Sequence, residues 1–593
     1  MTSLAQCTDT FDVVVVGSGA GAMTSAIFAA DQGLSTLVIE KSDKYGGTSA
    51  LSGGGIWIPN NPHFRAKGGH DGREEALRYL QAATEGRVEP ERLDAYLDNA
   101  PRMIEELEAC SRVRYAVADK YPDYYPHLPG ALAGGRTLDP ELFDTSVLEE
   151  ELEHLRPASP STLLMGRIAW TARHAHKAMA RERGWRLMIL WLMARYKFDL
   201  KWRRRSKRDR RSALGHALVA SLRRSLMDRQ VPLWRNTDFR ELIQEEGRVV
   251  GVVVERDGQT LNIRAKQGVI LASGGFEQNP ALRERYLPTP SRREWSATPP
   301  GNNTGAALEA GQAAGAATAL LERAWWAPTI SVPGEDKARG VFAERAFPGA
   351  IVVNGEGRRF VNEAAPYLEF VDAMYRDNAA TEGKSIPAWV IFDGHFRFHY
   401  AMGPLMPAQI KPDSRLPAQW RDRVYWKADS LADLASQIGV DPGGLEASAE
   451  RINDFARTGQ DLDFERGGNV FDRYYGDLNV TPNPCLAPLA KPPFYAMRLD
   501  AGDIGTKGGL STNARAQVVR EDATPIEGLY AIGNCSASVM GNAYPGAGST
   551  LGPAMTFGYI AARHIAEQRD AVHEPASADA FDDASSDAAG GAR

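Results

Sequence analysis

Four successive valines, Val13 to Val16, run directly into Gly17-Ser18-Gly19-Ala20-Gly21-Ala22. The run from Phe11 to Val16 predicts a strand buried on both faces. The glycines predict a tight turn into an Ala-rich helix reaching about Gln32, and Ser35-Thr36-Leu37-Val38-Ile39 predicts a second strand that ends at Glu40. Strand, glycine turn, helix, strand and acid in that order, within about 30 residues, make a parallel βαβ unit suited to a dinucleotide. Gly17 allows the turn, and Gly19 lets the backbone approach a pyrophosphate. Ala22 stands at the third glycine position, where a small side chain permits close helix packing. The helix start, with Ala20 and Gly21, turns its amides toward phosphate, and Glu40 is placed to accept hydrogen bonds from ribose hydroxyls.

The stretch after Glu40 selects FAD over NAD. Beyond Lys41, residues 45–59 read YGGTSALSGGGIWIP. Gly46, Gly47, Thr48, Ser49, Ser52, Gly53 and Gly54 are small, as required where chain wraps closely around a bulky cofactor. A second strand pair is expected at Arg248–Glu255 and Leu261–Ala265, leading into Gly268–Glu277 with Gly274 at its turn. Gly528 to Asn534 reads as a short strand ending in Gly533-Asn534, and Leu551 opens an apolar helical stretch to Ile565. The expected fold is therefore α/β (α+β): a discontinuous Rossmann-like FAD-binding domain from both chain ends, 9–284 and 491–567, with a catalytic domain inserted at 285–490. The last stretch, 568–593, is expected to be a disordered acidic tail.

Composition removes other classes. Cys7, Cys110, Cys485 and Cys535 are the four cysteines and none has C-x-x-C spacing, which speaks against zinc, iron–sulfur clusters and a disulfide framework. Such sparse usage fits a reducing, cytoplasmic compartment. His395 and His399 share a helical spacing but lack a third ligand, so no metal is expected. A net charge of −6 gives no reason to expect nucleic acid as a partner. The start, MTSLAQCTDT, has neither the basic nor the apolar region of a signal peptide, and no apolar run approaches the roughly 18 residues of a membrane span. One region stands apart: residues 167–211 carry sixteen Lys and Arg against three acids, with Trp170, Trp185, Trp191 and Trp202 interleaved. Two readings stay open for it. It is a surface excursion packed on the body, or it docks peripherally on an anionic membrane at the inner face.

Five blocks occur in order: Tyr45–Pro59, Tyr121-Pro122-Asp123-Tyr124-Tyr125-Pro126, Asn362-Glu363-Ala364-Ala365-Pro366-Tyr367, Gly502-Asp503-Ile504-Gly505-Thr506-Lys507-Gly508-Gly509, and Tyr544-Pro545-Gly546-Ala547-Gly548-Ser549-Thr550-Leu551-Gly552-Pro553. On these the chain, from about residue 10 to 567, resembles the 3-ketosteroid Δ1-dehydrogenases within the wider fumarate-reductase-like flavoproteins; 155–215 matches least. The resemblance implies FAD-dependent 1,2-dehydrogenation of a 3-ketosteroid, with electrons passing to an external acceptor, quinone-like or of another class. It assigns Tyr544 and the Gly548 amide to the C3 carbonyl, Tyr367 as the base that takes the C2 proton, Tyr124 as its helper, and flavin N5 as hydride acceptor from C1. Gly47 occupies the position of the flavin-linking histidine of succinate dehydrogenase-type relatives, so the FAD is expected to be non-covalent. Ala547 and Ser549 depart from the proline and frequent glycine of the family, which bears on the steroid accepted more than on the reaction.

The chemistry suits those residue types. A ketone acidifies the neighbouring C–H when its oxygen is stabilised, and two donors form an oxyanion hole worth about 3–4 kcal/mol per donor. Ser549 or Thr550 is an expected N-cap for the helix beginning at Leu551, leaving the Gly548 amide near its positive end. A tyrosine at its usual pKa of about 10 is a poor base, so a hydrogen bond from Tyr124 to Tyr367 has a purpose. Spacing alone does not select these among 19 tyrosines; Tyr125, Tyr474 and Tyr475 are equally eligible. Three rivals remain: a fumarate-reductase-like enzyme, which needs an Arg/His clamp for two carboxylates, a 4-ene-forming ketosteroid dehydrogenase of the same fold, and a membrane-docked flavoprotein electron carrier.

Overall fold

The computed structural model describes residues 7–573. Strand β1 (Cys7–Val16) lies inside an eight-stranded sheet. Helix α1 (Ala20–Asp31) returns the chain to β2 (Thr36–Ile39), which runs parallel to β1 with Val13 opposite Thr36 and Val16 opposite Ile39. Val13 to Val16 are buried, as a two-faced strand requires. On its other side β1 is parallel to β3 (Gln259–Leu271), and β3 is parallel to β4 (Pro525–Ala531). One sheet thus joins the two ends of the chain.

The expected strand at Leu261–Ala265 and the one entering Gly274 are a single strand, β3. Its first half pairs antiparallel with Arg248–Arg256 and alternates in exposure, while Val269 to Leu271 are buried on both faces. The change of period, from alternating to continuous, made one strand read as two.

A second sheet is antiparallel and contains Ala324–Ile330, Ala350–Val353, Ala388–Phe392 and Phe494–Thr506. Phe494–Thr506 lies past the expected domain limit at 490. It pairs with strands on both sides, Trp326 opposite Asp503 and Ile391 opposite Ala496, and its end carries the chain back toward the first sheet.

The C-terminal helix runs from Leu551 to His573, past the expected limit at 567, so 568–573 are helical rather than tail. The remainder of the expected tail, 574–593, lies outside the described residues. This helix crosses α1 closely: a Cβ on Gly21 would stand 2.7 Å from the Ala554 carbonyl oxygen, and one on Gly558 2.8 Å from that of Gly21. Gly21 is small for helix–helix contact as much as for phosphate.

Residues 167–211 form three helices, Ala172–Met179, Trp185–Lys197 and Leu200–Arg203. Leu192 packs with Leu164 and Ile168 in a small core of their own. The excursion meets the body through His176, whose ring stacks on Tyr474 at 4.1 Å, and through Arg181, 3.1 Å from Asp477.

Candidate active site

Between the two sheets lies a cavity of about 550 Å³. Its walls include Gly17, Gly19, Ala20, Gly21, Ala22, Glu40, Lys41, Gly47, Thr48, Ser49, Ser52, Gly53, Gly54, Gly274, Gly533, Asn534 and Leu551 on the dinucleotide side, and Tyr124, Tyr367, Tyr544 and Gly548 at the other. Gly46 is the expected residue that is not on the wall. It faces Val219, 2.8 Å from where its Cβ would be, and its N–H donates to Ser18 Oγ at 2.9 Å. It shapes the turn rather than lining the cavity.

The dinucleotide side is held by bonds the sequence did not announce. Gly17 has φ +108° and a Cβ there would lie 2.5 Å from the Ala272 carbonyl oxygen, so only glycine lets β1 and β3 end together. Ser18 Oγ donates to Glu40, whose other carboxylate oxygen accepts the Ser42 N–H at 3.0 Å. Burial raises the Glu40 pKa against these bonds. Asn303 Nδ2 donates to Thr48 Oγ1 at 3.0 Å and to Glu277, and a Cβ on Gly274 would collide with the Asn303 side chain at 2.4 Å. Burial pushes Glu277 up to about 7, with Asp503 adding to the effect. The Gly301-Asn302-Asn303-Thr304-Gly305 cluster was the available sequence signal for this wall.

These residues fit FAD. A Cβ placed on Gly47 or Gly53 meets no atom within 4 Å, so at both points bare backbone borders open cavity. The first bond of α1 joins the Met23 N–H to the Gly19 carbonyl at 3.0 Å, leaving the Gly21 and Ala22 amides at the helix start as donors for phosphate.

At the far side the three predicted tyrosines converge. Ring centroids are 5.0 Å apart for Tyr367 and Tyr544, 5.3 Å for Tyr124 and Tyr544, and 5.7 Å for Tyr124 and Tyr367. Tyr367 is the first residue of the helix Tyr367–Ala380. Tyr124 Oη donates to Tyr367 Oη at 3.5 Å, and the hydroxyl chain continues through Tyr121, 3.2 Å from Tyr124, to Tyr475. Burial raises the Tyr367 phenol well above its ordinary pKa, the neighbouring Tyr544 and Tyr121 add to this, and the Tyr124 bond opposes it. Burial also raises Tyr544, opposed by the Tyr367 and Thr550 hydroxyls. Trp325 and Phe342 pack edge-on against Tyr544 and Tyr367 at 5.0 and 5.2 Å.

Gly548 has φ +99° and a Cβ there would press on the Ile56 backbone at 2.5 Å. Its carbonyl accepts the Gly552 N–H at 2.9 Å, which places Gly548 at the start of the C-terminal helix. Of the two residues expected to cap that helix, Ser549 and Thr550, Ser549 is engaged elsewhere. Its buried hydroxyl accepts the Gly546 N–H at 3.1 Å and donates to the Gly546 carbonyl at 2.7 Å, closing the loop on itself.

Residues 12–551 match the family model described as FAD binding domain. The chain is 44% identical to the 3-oxosteroid 1-dehydrogenase of Comamonas testosteroni, with 93% of this chain and 96% of that enzyme covered. It is 41% identical to the 3-oxosteroid 1-dehydrogenase of Mycobacterium tuberculosis over 94% of this chain and 98% of that one. Among solved structures it is similar to the 3-ketosteroid Δ1-dehydrogenase of Sterolibacterium denitrificans in complex with 1,4-androstadiene-3,17-dione, at 56% identity and TM-score 0.92, covering 95% of this chain and 100% of the other.

Proposed function

We propose a division of labour among these residues from one premise: this chain belongs to the 3-oxosteroid 1-dehydrogenase family of FAD-dependent oxidoreductases. Its reaction is the 1,2-dehydrogenation of 3-ketosteroids. FAD, when bound, supplies the hydride acceptor for C1. Tyr544 Oη and the Gly548 N–H donate to the C3 carbonyl and hold the negative charge that gathers there as C2 loses its proton. Tyr367 Oη receives that proton. Tyr124, donating to Tyr367, favours the basic form of the phenol against the burial that disfavours it. The observation that carries this reading is the meeting of three tyrosines, at 5.0 to 5.7 Å, in the cavity whose other wall is the dinucleotide turn.

Product analysis tests it against the rivals. A 3-ketosteroid saturated at both C1–C2 and C4–C5, incubated with holoenzyme and an artificial acceptor, is expected to gain a C1–C2 double bond. A C4–C5 double bond, or reduction of fumarate in place of steroid oxidation, would replace this reading with a rival.

We also propose that FAD is held without a covalent bond. Gly47 stands where a linking histidine would be, and among the described residues no histidine lines the cavity. Acid precipitation is therefore expected to leave yellow FAD in the supernatant; flavin that stays with the pelleted polypeptide would contradict it.

The excursion at 167–211 supports docking on anionic membrane. Leu187, Leu190, Trp191, Phe198 and Leu200 are each more than half exposed, and Lys201, Arg204, Arg205, Lys207 and Arg208 are exposed beside them. Arg210 is engaged differently: it pairs with Asp144 at 2.6 Å and Asp199 at 2.9 Å and secures the excursion to the body. No helix of the described residues is long and apolar enough to cross a membrane. Each cation near an anionic surface contributes about 1 kcal/mol, and Trp favours the headgroup layer. Ala172 of the excursion lines the cavity, so a docked enzyme would face lipid-dissolved steroid, and a quinone-like acceptor, close to the site. The protein is expected to co-sediment with phosphatidylserine-containing vesicles at low salt and to be released as salt rises. Replacing the five exposed cations by Gln should abolish co-sedimentation and leave turnover of detergent-solubilised steroid intact. Unsubstituted protein that stays in the supernatant at low salt would rule docking out.

A further inference from the structure

Behind the tyrosine cluster lies a buried network that the proposed proton and hydride transfers do not use. The loop bearing Tyr544 is held at three successive residues. The Ala543 carbonyl accepts from Lys507 Nζ, which sits 4.2 Å over the Trp325 ring. The Tyr544 N–H donates to Tyr125 Oη at 2.8 Å. The Pro545 carbonyl accepts from the Tyr124 N–H at 2.9 Å and from Tyr79 Oη at 2.6 Å.

Tyr125 also reaches the other side of the site. Its hydroxyl donates to Glu369 Oε1, and Glu369 lies on the helix that begins with Tyr367. Glu369 Oε2 is buried with no partner. A buried hydroxyl that accepts from one backbone and donates to one carboxylate is fixed in orientation by both bonds.

We propose that Tyr125 and Glu369 are positioning residues, a bridge that sets the carbonyl-binding Tyr544 and the base Tyr367 at their working separation. The inference rests on the roles proposed for Tyr544 and Tyr367. Neither bridge residue lines the cavity; each acts through the backbone that carries a reacting side chain. The expected signature is in kcat, because misplacement of a reacting group by about 1 Å costs about 100-fold in rate, while the cavity wall that binds steroid is unchanged.

The experiment measures kcat, KM, flavin content and melting temperature for four variants. Tyr125→Phe removes the donor and acceptor together and is expected to lower kcat about 10- to 100-fold, with KM within about 3-fold and flavin content unchanged. Glu369→Leu is expected to do the same. Glu369→Gln keeps an oxygen to accept the Tyr125 hydroxyl, and its amide nitrogen replaces an oxygen that had no partner, so kcat should recover to within about 3-fold of the unsubstituted enzyme. The double variant Tyr125→Phe/Glu369→Leu should be no slower than the slower single variant, as members of one bridge are not additive.

Near-normal kcat in Tyr125→Phe would overturn the proposal. So would Glu369→Gln falling as low as Glu369→Leu, or losses that multiply in the double variant. If Tyr125→Phe fails to fold, the Gln and Leu variants of Glu369 decide alone. Failure of the bridge is distinguishable from failure of the assigned roles: Tyr367→Phe and Tyr544→Phe would still lose turnover when only the bridge is wrong.

Discussion

Tyr367→Phe is expected to lower steroid turnover at least about 100-fold, about 2.7 kcal/mol of barrier, while the protein keeps its flavin. The substitution removes one oxygen from a ring that stays packed between Tyr124, Tyr544 and Phe342, so the wall is preserved and the proposed proton acceptor is lost. Its pH dependence gives a second readout. Burial holds the Tyr367 phenol well above its ordinary value of 10, so the basic fraction grows with pH through the neutral and alkaline range. The rate of the proton step is expected to climb with pH in the unsubstituted enzyme and to be flat in the Phe variant. Near-normal turnover in Tyr367→Phe, measured at matched flavin content, would remove the residue from the mechanism.

The second large effect is at the carbonyl. Tyr544→Phe takes away one of the two donors proposed for the developing oxyanion, a change that costs about 100- to 1,000-fold where such donors are buried. Tyr544 is 3% exposed and its ring is stacked on Tyr124 and packed against Trp325. Water is therefore poorly placed to substitute for the lost hydroxyl, and KM is expected to move less than kcat. Steady-state kinetics at matched flavin content check both numbers. A loss confined to KM would make Tyr544 a binding residue without a part in the proton step.

The dinucleotide half was legible because its constraints are local. Val13 to Val16 are buried as their unbroken run demands, Gly17 carries its positive φ, and Glu40 directly follows β2 beside the turn. The partners that hold this half were not legible. Ser18, Asn303 and Glu277 are ordinary polar residues until strand pairing brings them to Glu40, Thr48 and Thr506. The small size of Gly46 also answers to a distant partner, Val219 on a helix far along the chain. Ser549 was eligible with Thr550 as a helix cap because both precede an apolar stretch, yet a competing local bond to Gly546 takes the Ser549 hydroxyl. Which sheet Phe494–Thr506 joins was not legible either, because only its neighbours Ala324–Ile330 and Ala388–Phe392 decide it.

The tyrosine cluster was nameable by resemblance and not by physics. Nothing in the spacing of 19 tyrosines singles out Tyr124, Tyr367 and Tyr544, which stand far apart in sequence and meet only in the folded chain. Tyr125, eligible on spacing, does not line the cavity and instead accepts the Tyr544 N–H. The preceding residue, Tyr124, donates to Tyr367.

The most direct measurement is single-turnover mixing of holoenzyme with a 3-ketosteroid under anaerobic conditions, with no other electron donor, following the flavin absorbance. Loss of the oxidised-flavin band is expected within one turnover, more slowly when C1 carries deuterium, and at least about 100-fold more slowly in Tyr367→Phe and Tyr544→Phe. A band that persists although the steroid binds, or that bleaches at the same rate in all three proteins, would contradict the assignment of this site.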